Sequence, residues 1–274
     1  MSASDEGRRA VGDASSTART RVAYSVQRKQ TILRALRLAG TVDSASIAEE
    51  LQVTTETIRK DLIRLERQGL LRRVHGGATS LNELSFEPDV AVRIENSQEK
   101  DRIARAALTH LPAKGSILLD AGSTTARLAE LLPVDRPLTV YTNALPMAMT
   151  LLSRANLTVF TLGGRLRAQT TAEVDEWALR ALSEINVDVT FLGANGISVE
   201  RGLTTPDPAE AAVKRAMVSC ARKRVLLADH TKVGLVSTCK YAALADINIM
   251  ITDRGLSHEA LSTLRKTGLV VEQA

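Results

Sequence analysis

Residues 54–78 read TTETIRKDLIRLERQGLLRRVHGGA, and they decide the fold of the N-terminal part. Ile58, Leu62 and Leu65 recur at i, i+4 and i+7, the spacing of one apolar helical stripe. Thr54 offers an N-cap hydroxyl, and the helix is expected to end before Gly69. Thr55, Glu56, Arg59, Lys60 and Arg64 fall off the stripe, while Thr54, Thr55 and Thr57 share the first turn. A short strand-like run follows, and the pair Gly76-Gly77 permits a tight turn.

Two shorter helices precede this stretch. Ile32, Leu33, Leu36 and Leu38 carry helical spacing within residues 25–40, with Gly40 as the stop; Ile47, Ala48 and Leu51 do so within 45–51. Three helices, the last one basic, and a glycine-turned strand pair are the parts of a winged helix-turn-helix. One face of the third helix packs on its domain and the other can enter a major groove. Arg59 and Lys60 reach guanine acceptors or phosphates, and first-turn hydroxyls reach phosphates and base edges. Arg72, Arg73 and His75 on the wing would grip the backbone. An ordinary amphipathic helix solvated by its charges would share the composition, but not this ordered set of elements.

Charge supports the reading. Residues 19–78 hold 12 basic and 6 acidic side chains, whereas the other 214 hold 24 and 25. All the excess positive charge in a net of +5 therefore sits in one segment, as expected where a chain meets a polyanion. Residues 25–85 contain no Phe, Tyr or Trp, which disfavours recognition by base stacking and points to duplex DNA.

At 274 residues the chain has room for about two domains. Its 44% apolar and 24% charged residues are globular values, and no run reaches the ~20 apolar residues of a membrane span. No secretory leader is expected, because Arg8 and Arg9 precede no apolar stretch. Two cysteines, Cys220 and Cys239, fit a reduced, cytoplasmic protein without a metal and read as small buried apolar residues. No cofactor motif is present.

Residues 1–22 read as a mobile tail, 23–80 as the DNA-binding domain, 81–96 as a linker and 97–274 as a second domain. The last alternates strand candidates (117–119, 138–141, 157–162, 187–192, 225–228, 247–251) with helices (98–110, 124–132, 144–154, 173–183, 208–222, 257–267). That alternation predicts an α/β fold with a mostly parallel sheet. Asp207-Pro208-Ala209-Glu210 is the sharpest helix start. Trp177 is expected in the core, beside Leu179 and Leu182.

Chemistry concentrates at strand ends. Asp120-Ala121-Gly122-Ser123-Thr124-Thr125 closes one strand and opens a helix, where hydroxyls and free N–H groups suit a phosphate. Polar loops at Thr142-Asn143, Gly163-Gly164 and Gly193-Ala194-Asn195-Gly196 repeat the pattern where α/β proteins bind ligands. Glu210 and Lys214 at i, i+4 can be a helix-stabilising pair alone, and Asp229, His230 and Lys232 can be surface loop chemistry.

Residues 54–78 resemble the signature of the DeoR family of bacterial transcriptional regulators, through the TIRxDL and HGGA elements, and the resemblance spans roughly residues 25–255. It implies an N-terminal helix-turn-helix and a C-terminal sugar-phosphate-sensing domain resembling sugar-phosphate isomerases. Carried over by matching elements, it implies a pocket that includes Asp120, Gly122, Ser123, Thr124, Thr125, Asn143, Asn195, Lys214 and Lys232. The family often has Val-Gly where this chain has Glu173-Val174-Asp175. The expectation is a repressor of a sugar or polyol operon that forms a homo-oligomer on paired half-sites. The alternative is a sugar-phosphate isomerase with a DNA-binding appendage. It is disfavoured because Leu192-Gly193-Ala194-Asn195-Gly196 lacks the acidic pair of those enzymes, although Asp120 or Glu210 remains a base candidate.

Overall fold

An apolar stripe with a capped start needs a surface to pack on, and the two preceding helices provide it. The computed structural model describes residues 26–36, 41–74, 76–79, 84, 87 and 96–274. The chain divides into two units, Met1–Phe86 and Glu87–Ala274. In the first, α1 (residues 26–36), α2 (Ser44–Glu50) and α3 (Thr55–Arg67) share a core of Ile32, Leu36, Ile47, Ile58, Leu62 and Leu65. Full burial of each such side chain stabilises by about 1.5–3 kcal/mol. The Thr54 hydroxyl accepts from the Thr57 amide at 3.2 Å, which fixes the start of α3 as the sequence predicts.

The wing is a hairpin of β2 (Arg72–Val74) and β3 (Gly77–Thr79). A third strand, β1 (Thr41–Asp43), adds to it in the order β1-β3-β2. Three residues carry too little pattern to reveal β1 in the sequence. Gly76 sits at φ +82, which favours glycine, and Gly77 is needed for space, since a Cβ there would lie 1.9 Å from the Val42 carbonyl. His75, the 1–22 tail, Leu38, Gly40 and most of 81–96 lie outside the described residues.

The second unit is three-layered. Its seven-stranded sheet runs β15-β14-β12-β9-β4-β5-β6, every pairing parallel. The strands are β4 (Gly115–Leu119), β5 (Leu138–Thr142), β6 (Leu157–Thr161), β9 (Val187–Leu192), β12 (Ala221–Leu227), β14 (Ile249–Thr252) and β15 (Val270–Gln273). Alternation splits β4: Ile117 and Leu119 face α4 (Ser97–Ala107), α5 (Ser123–Glu130) and α6 (Leu145–Leu151). Leu118 faces α7 (Glu176–Ser183), α8 (Pro208–Ser219) and α9 (His258–Lys266). Strand order reverses between β4 and β9, so their carboxyl ends form the topological switch point.

Three expectations are corrected. Residues 173–175 are not helical: β8 (Ala172–Val174) pairs antiparallel with β7 (Arg165–Arg167), and the Glu173 amide donates to the Asn143 carbonyl. Helix α8 stops at Ser219, because β12 begins at Ala221. Trp177 is 76% exposed rather than in the core, since α7 buries Ala178 and Leu182, which turn Trp177 outward. Further additions are the short antiparallel strands β10 (Gly196–Ser198), β11 (Gly202–Thr205) and β13 (Cys239–Ala242), which form a separate sheet. Cys239 is half-buried; Cys220 is buried, which pushes its thiol up to about 11.

Candidate functional site

In the first unit, burial of Ile58, Asp61, Leu62 and Leu65 fixes which side of α3 faces out. Asp61 is held by Arg28 of α1 at 2.8 Å. Thr54, Glu56, Arg59, Lys60 and Arg64 are exposed, and Thr55 and Thr57 are half-buried. Lys60 lies 3.9 Å from Glu56, while the guanidinium groups of Arg59 and Arg64 have no partner among the described residues. On the wing Arg72 is exposed. Arg73 is committed differently: its Nε and backbone N–H donate to Glu66 at 2.6 and 2.9 Å, which holds the Glu66 carboxyl below its usual range. That bond ties the wing to α3.

In the second unit Asp120, Asn143 and Lys214 are brought together at the end of β4. The Asp120 carboxylate follows β4 and is 1% exposed. Its Oδ2 accepts from the Gly193 amide at 2.9 Å and from Lys214 Nζ. Lys214 Nζ also donates to the Gly193 carbonyl (3.2 Å), as does the Tyr241 hydroxyl (2.8 Å). Asp120 Oδ1 is buried with no hydrogen-bond partner among the described residues. Burial raises the Asp120 carboxyl above its ordinary value, Lys214 and the Gly193 amide oppose this, and Glu210 adds to it. Burial also holds the Tyr241 phenol well above its ordinary value, and the Asp120 charge adds to that.

Asn143 works as a staple. Its Oδ1 accepts from the Ala121 amide at 2.8 Å and its Nδ2 donates to the Glu173 carbonyl at 3.4 Å, so it joins β5 and β8 to the turn after β4. The Thr125 hydroxyl is likewise internal, 2.6 Å from the Asp120 carbonyl and 3.0 Å from that of Gly122. Ser123 and Thr124 differ: their hydroxyls bond no described residue, and they stand beside the free N–H groups of the first turn of α5.

The structure adds residues that sequence reasoning missed. Arg167 on β7 binds Glu210 (3.1 Å), Asp207 (3.1 Å) and Glu87. Burial opposes its charge, and the three carboxylates outweigh that and raise its pKa. Thr170 donates to Glu210, and Thr205 lies 3.3 Å from Glu210 and 3.2 Å from Asn195 Oδ1. Asn195 Nδ2 donates to Glu87 at 3.4 Å. Glu210 and Lys214 thus turn to separate partners, and the i, i+4 pair is not what occupies them. The one available signal was the Arg165-Leu166-Arg167 run directly after Gly163-Gly164. Lys232 sits on a turn after β12, where Asp229 accepts from Asn96 at 3.2 Å and His230 pairs with Asp253 at 2.8 Å.

Two family descriptions match this chain: the DeoR-like helix-turn-helix domain over residues 28–83 and the DeoR C terminal sensor domain over residues 95–254. The chain belongs to the DeoR family. Among relatives, the Bacillus subtilis (strain 168) protein named "Uncharacterized HTH-type transcriptional regulator FruR" is 34% identical, over 83% of this chain and 90% of its own length. The Haloferax volcanii "HTH-type transcriptional regulator GlpR" is 34% identical over 89% and 96%. The Agrobacterium fabrum "Transcriptional repressor AccR" is 31% identical over 83% and 89%. A ribose 5-phosphate isomerase from Methanocaldococcus jannaschii overlays with a TM-score of 0.38 at 18% identity, covering 51% of this chain and 55% of that one. This DeoR-family chain is a DNA-binding transcriptional regulator with a sensor domain, not an enzyme. None of its described helices is long and apolar enough to cross a membrane.

Proposed function

We propose that this regulator represses a sugar or polyol metabolism operon in the cytoplasm, binding duplex operator DNA through α3 and the wing. Thr54, Thr55, Glu56, Thr57, Arg59, Lys60, Arg64, Arg72, Arg73 and His75 make the DNA surface, with Arg73 also bracing the wing. The effector is a phosphorylated sugar. Its phosphate docks at Gly122, Ser123 and Thr124 on the first turn of α5, which Asp120, Thr125 and Asn143 shape, while Asn195, Lys214 and Lys232 complete the pocket. The observation that carries this reading is the exposed basic face of α3, where Arg59 and Arg64 have no partner among the described residues.

Two half-sites one helical turn apart require two copies of α3 at fixed spacing, so the active form is a homo-oligomer. The effector acts through unequal affinity for the DNA-competent and incompetent arrangements. The test is an operator duplex selected from a random pool by the full chain, then titrated with and without sugar phosphates. Arg59→Ala is expected to weaken operator binding by about 1–3 kcal/mol and relax one base preference. Unchanged affinity and preference would remove Arg59 from the interface. Operator binding indifferent to every phosphorylated sugar would overturn the sensing role.

A further inference from the structure

Helix α6 carries no charge, and Thr150 is its only polar side chain. Met147, Ala148 and Leu151 are buried on the sheet side. Leu145, Met149 and Leu152, at i, i+4 and i+7, form a second apolar stripe toward solvent. A helix without a polar face belongs in an interior, yet Met149 and Leu152 are 67% and 68% exposed. Val134, 79% exposed, extends the patch. Arg154 and Asn156, just after α6, donate to the carbonyls of Leu132 and Pro133 at 2.7 and 3.0 Å and hold that loop beside the end of the helix.

The next strand leaves a second kind of surface open. Strand β6 ends the sheet, and its outer edge pairs with no strand among the described residues. The Leu138 amide donates to the Asn156 carbonyl, a register that turns the backbone groups of Val159 and Thr161 outward. Edge strands are commonly blunted by charge or proline, but Leu157-Thr158-Val159-Phe160-Thr161 has neither. The opposite edge is blunted: β15 carries Glu272, and Arg265 donates to the Val271 carbonyl at 3.1 Å.

Resting on the homo-oligomer reading above, we propose that a second copy of this chain covers α6 and β6, with the two β6 strands antiparallel about a two-fold axis and the two α6 helices side by side. An axis normal to the sheet runs two copies of one edge antiparallel and keeps both α6 helices on the same face, so strand edge and helix stripe are buried together. Centred on Val159, such a pairing sets Thr158 against Phe160 and brings no charge opposite another. The rim selects the partner. Glu130 and Asp135 stand with Arg136 and Arg154 beside Val134, a mixture of signs that a second copy can match. Nucleic acid or an anionic lipid surface calls for basic side chains alone. Apolar patches with polar rims mark protein contacts.

Sedimentation velocity of the full chain over a concentration series tests this. Wild type is expected to associate. Leu152→Glu on the helix stripe and Thr158→Lys on the strand edge are each expected to halve the particle mass. Val270→Glu, a charge placed on the exposed side of β15 at the far edge, should keep the wild-type mass. An oligomer whose mass neither Leu152→Glu nor Thr158→Lys changes overturns the proposal and leaves the homo-oligomer standing. Halving by Leu152→Glu alone overturns the strand pairing, and halving by Thr158→Lys alone overturns the helix contact. Halving by Val270→Glu alone moves the contact to β15 and overturns the proposal. A wild type that stays monomeric at every concentration overturns the homo-oligomer reading and this proposal together. Melting curves check that each variant folds. Should Thr158→Lys fail to fold, Leu152→Glu and Met149→Glu, both at exposed positions, still decide the surface.

Discussion

Lys214 turns its ammonium away from Glu210, one helical turn before it, and onto Asp120 at the end of β4. The two residues are 94 positions apart and both nearly fully buried, so neither charge is tolerated alone. Lys214→Met is expected to cost about 3–5 kcal/mol, the magnitude seen when one partner of a buried pair is removed. Adding Asp120→Asn should recover much of the loss. The deficit also depends on pH. Burial already raises the Asp120 carboxyl against the pull of Lys214, and the variant loses that pull. A raised carboxyl contributes stability that is full below the unfolded value of about 3.9 and is lost as pH rises through the folded value. The deficit should therefore be largest near neutrality and shrink on acidification. Urea midpoints at pH 5 and 7.5 measure it; an equal deficit at both would contradict the assignment.

Asp175 stores strain that a glycine would release. Its φ of 75° and ψ of −164° fall in a region that essentially only glycine occupies. The Arg165 ion pair at 2.6 Å is exposed and offsets little of this. Asp175→Gly is expected to stabilise the second unit by about 1–3 kcal/mol, read as a higher urea midpoint at unchanged slope. A midpoint at or below wild type would show that the ion pair outweighs the backbone term.

That position shows where the sequence was legible and where it was not. The departure from Val-Gly at Glu173-Val174-Asp175 was visible, but only the backbone angles reveal its cost. The cap at Thr54, the α3 stripe and the six strands of the sheet that the sequence predicted were readable because their signals are local and periodic. Strands of three or four residues, such as β1, β10 and β13, carry no period to detect. The Arg167 cluster was hidden for another reason: its links to Glu87 and Glu210 span 80 and 43 positions. Nothing in the chain near Arg167 says which carboxylates the topology brings to it.

Gly77 limits the first unit by space alone. A Cβ there meets the Val42 carbonyl oxygen at 1.9 Å and the Asp43 Cα at 3.2 Å, both backbone atoms that cannot swing aside. Gly77→Ala is expected to break the β1–β3 pairing and cost about 3 kcal/mol or more, the severe end for one substitution. Operator affinity should fall with it, although a methyl group adds no charge and removes no DNA contact. Gly69 is the control: it sits at φ +65 with nothing within 4 Å of an added Cβ, so Gly69→Asn should meet no clash and cost only about 1 kcal/mol of backbone strain. Thermal melts of both variants check the contrast, and similar melts would place the close approach in doubt.

Thr124 and Thr125 are adjacent, yet their hydroxyls should answer differently to removal. Thr125 is 1% exposed and holds the turn after β4 through the Asp120 carbonyl at 2.6 Å. Thr125→Ala leaves that carbonyl short of a donor and is expected to cost about 1–3 kcal/mol of stability. Its effect on the effector response follows from the loosened turn, so Thr125→Ser, which keeps the hydroxyl, should restore both. Thr124 bonds no described residue through its hydroxyl. Thr124→Ala should therefore melt close to wild type while weakening sugar-phosphate binding, because a donor facing the first turn of α5 is lost. Melting curves paired with calorimetric titration separate the two roles. If Thr124→Ala binds the effector as tightly as wild type, the phosphate does not rest on that hydroxyl and the helix start acts through its backbone alone.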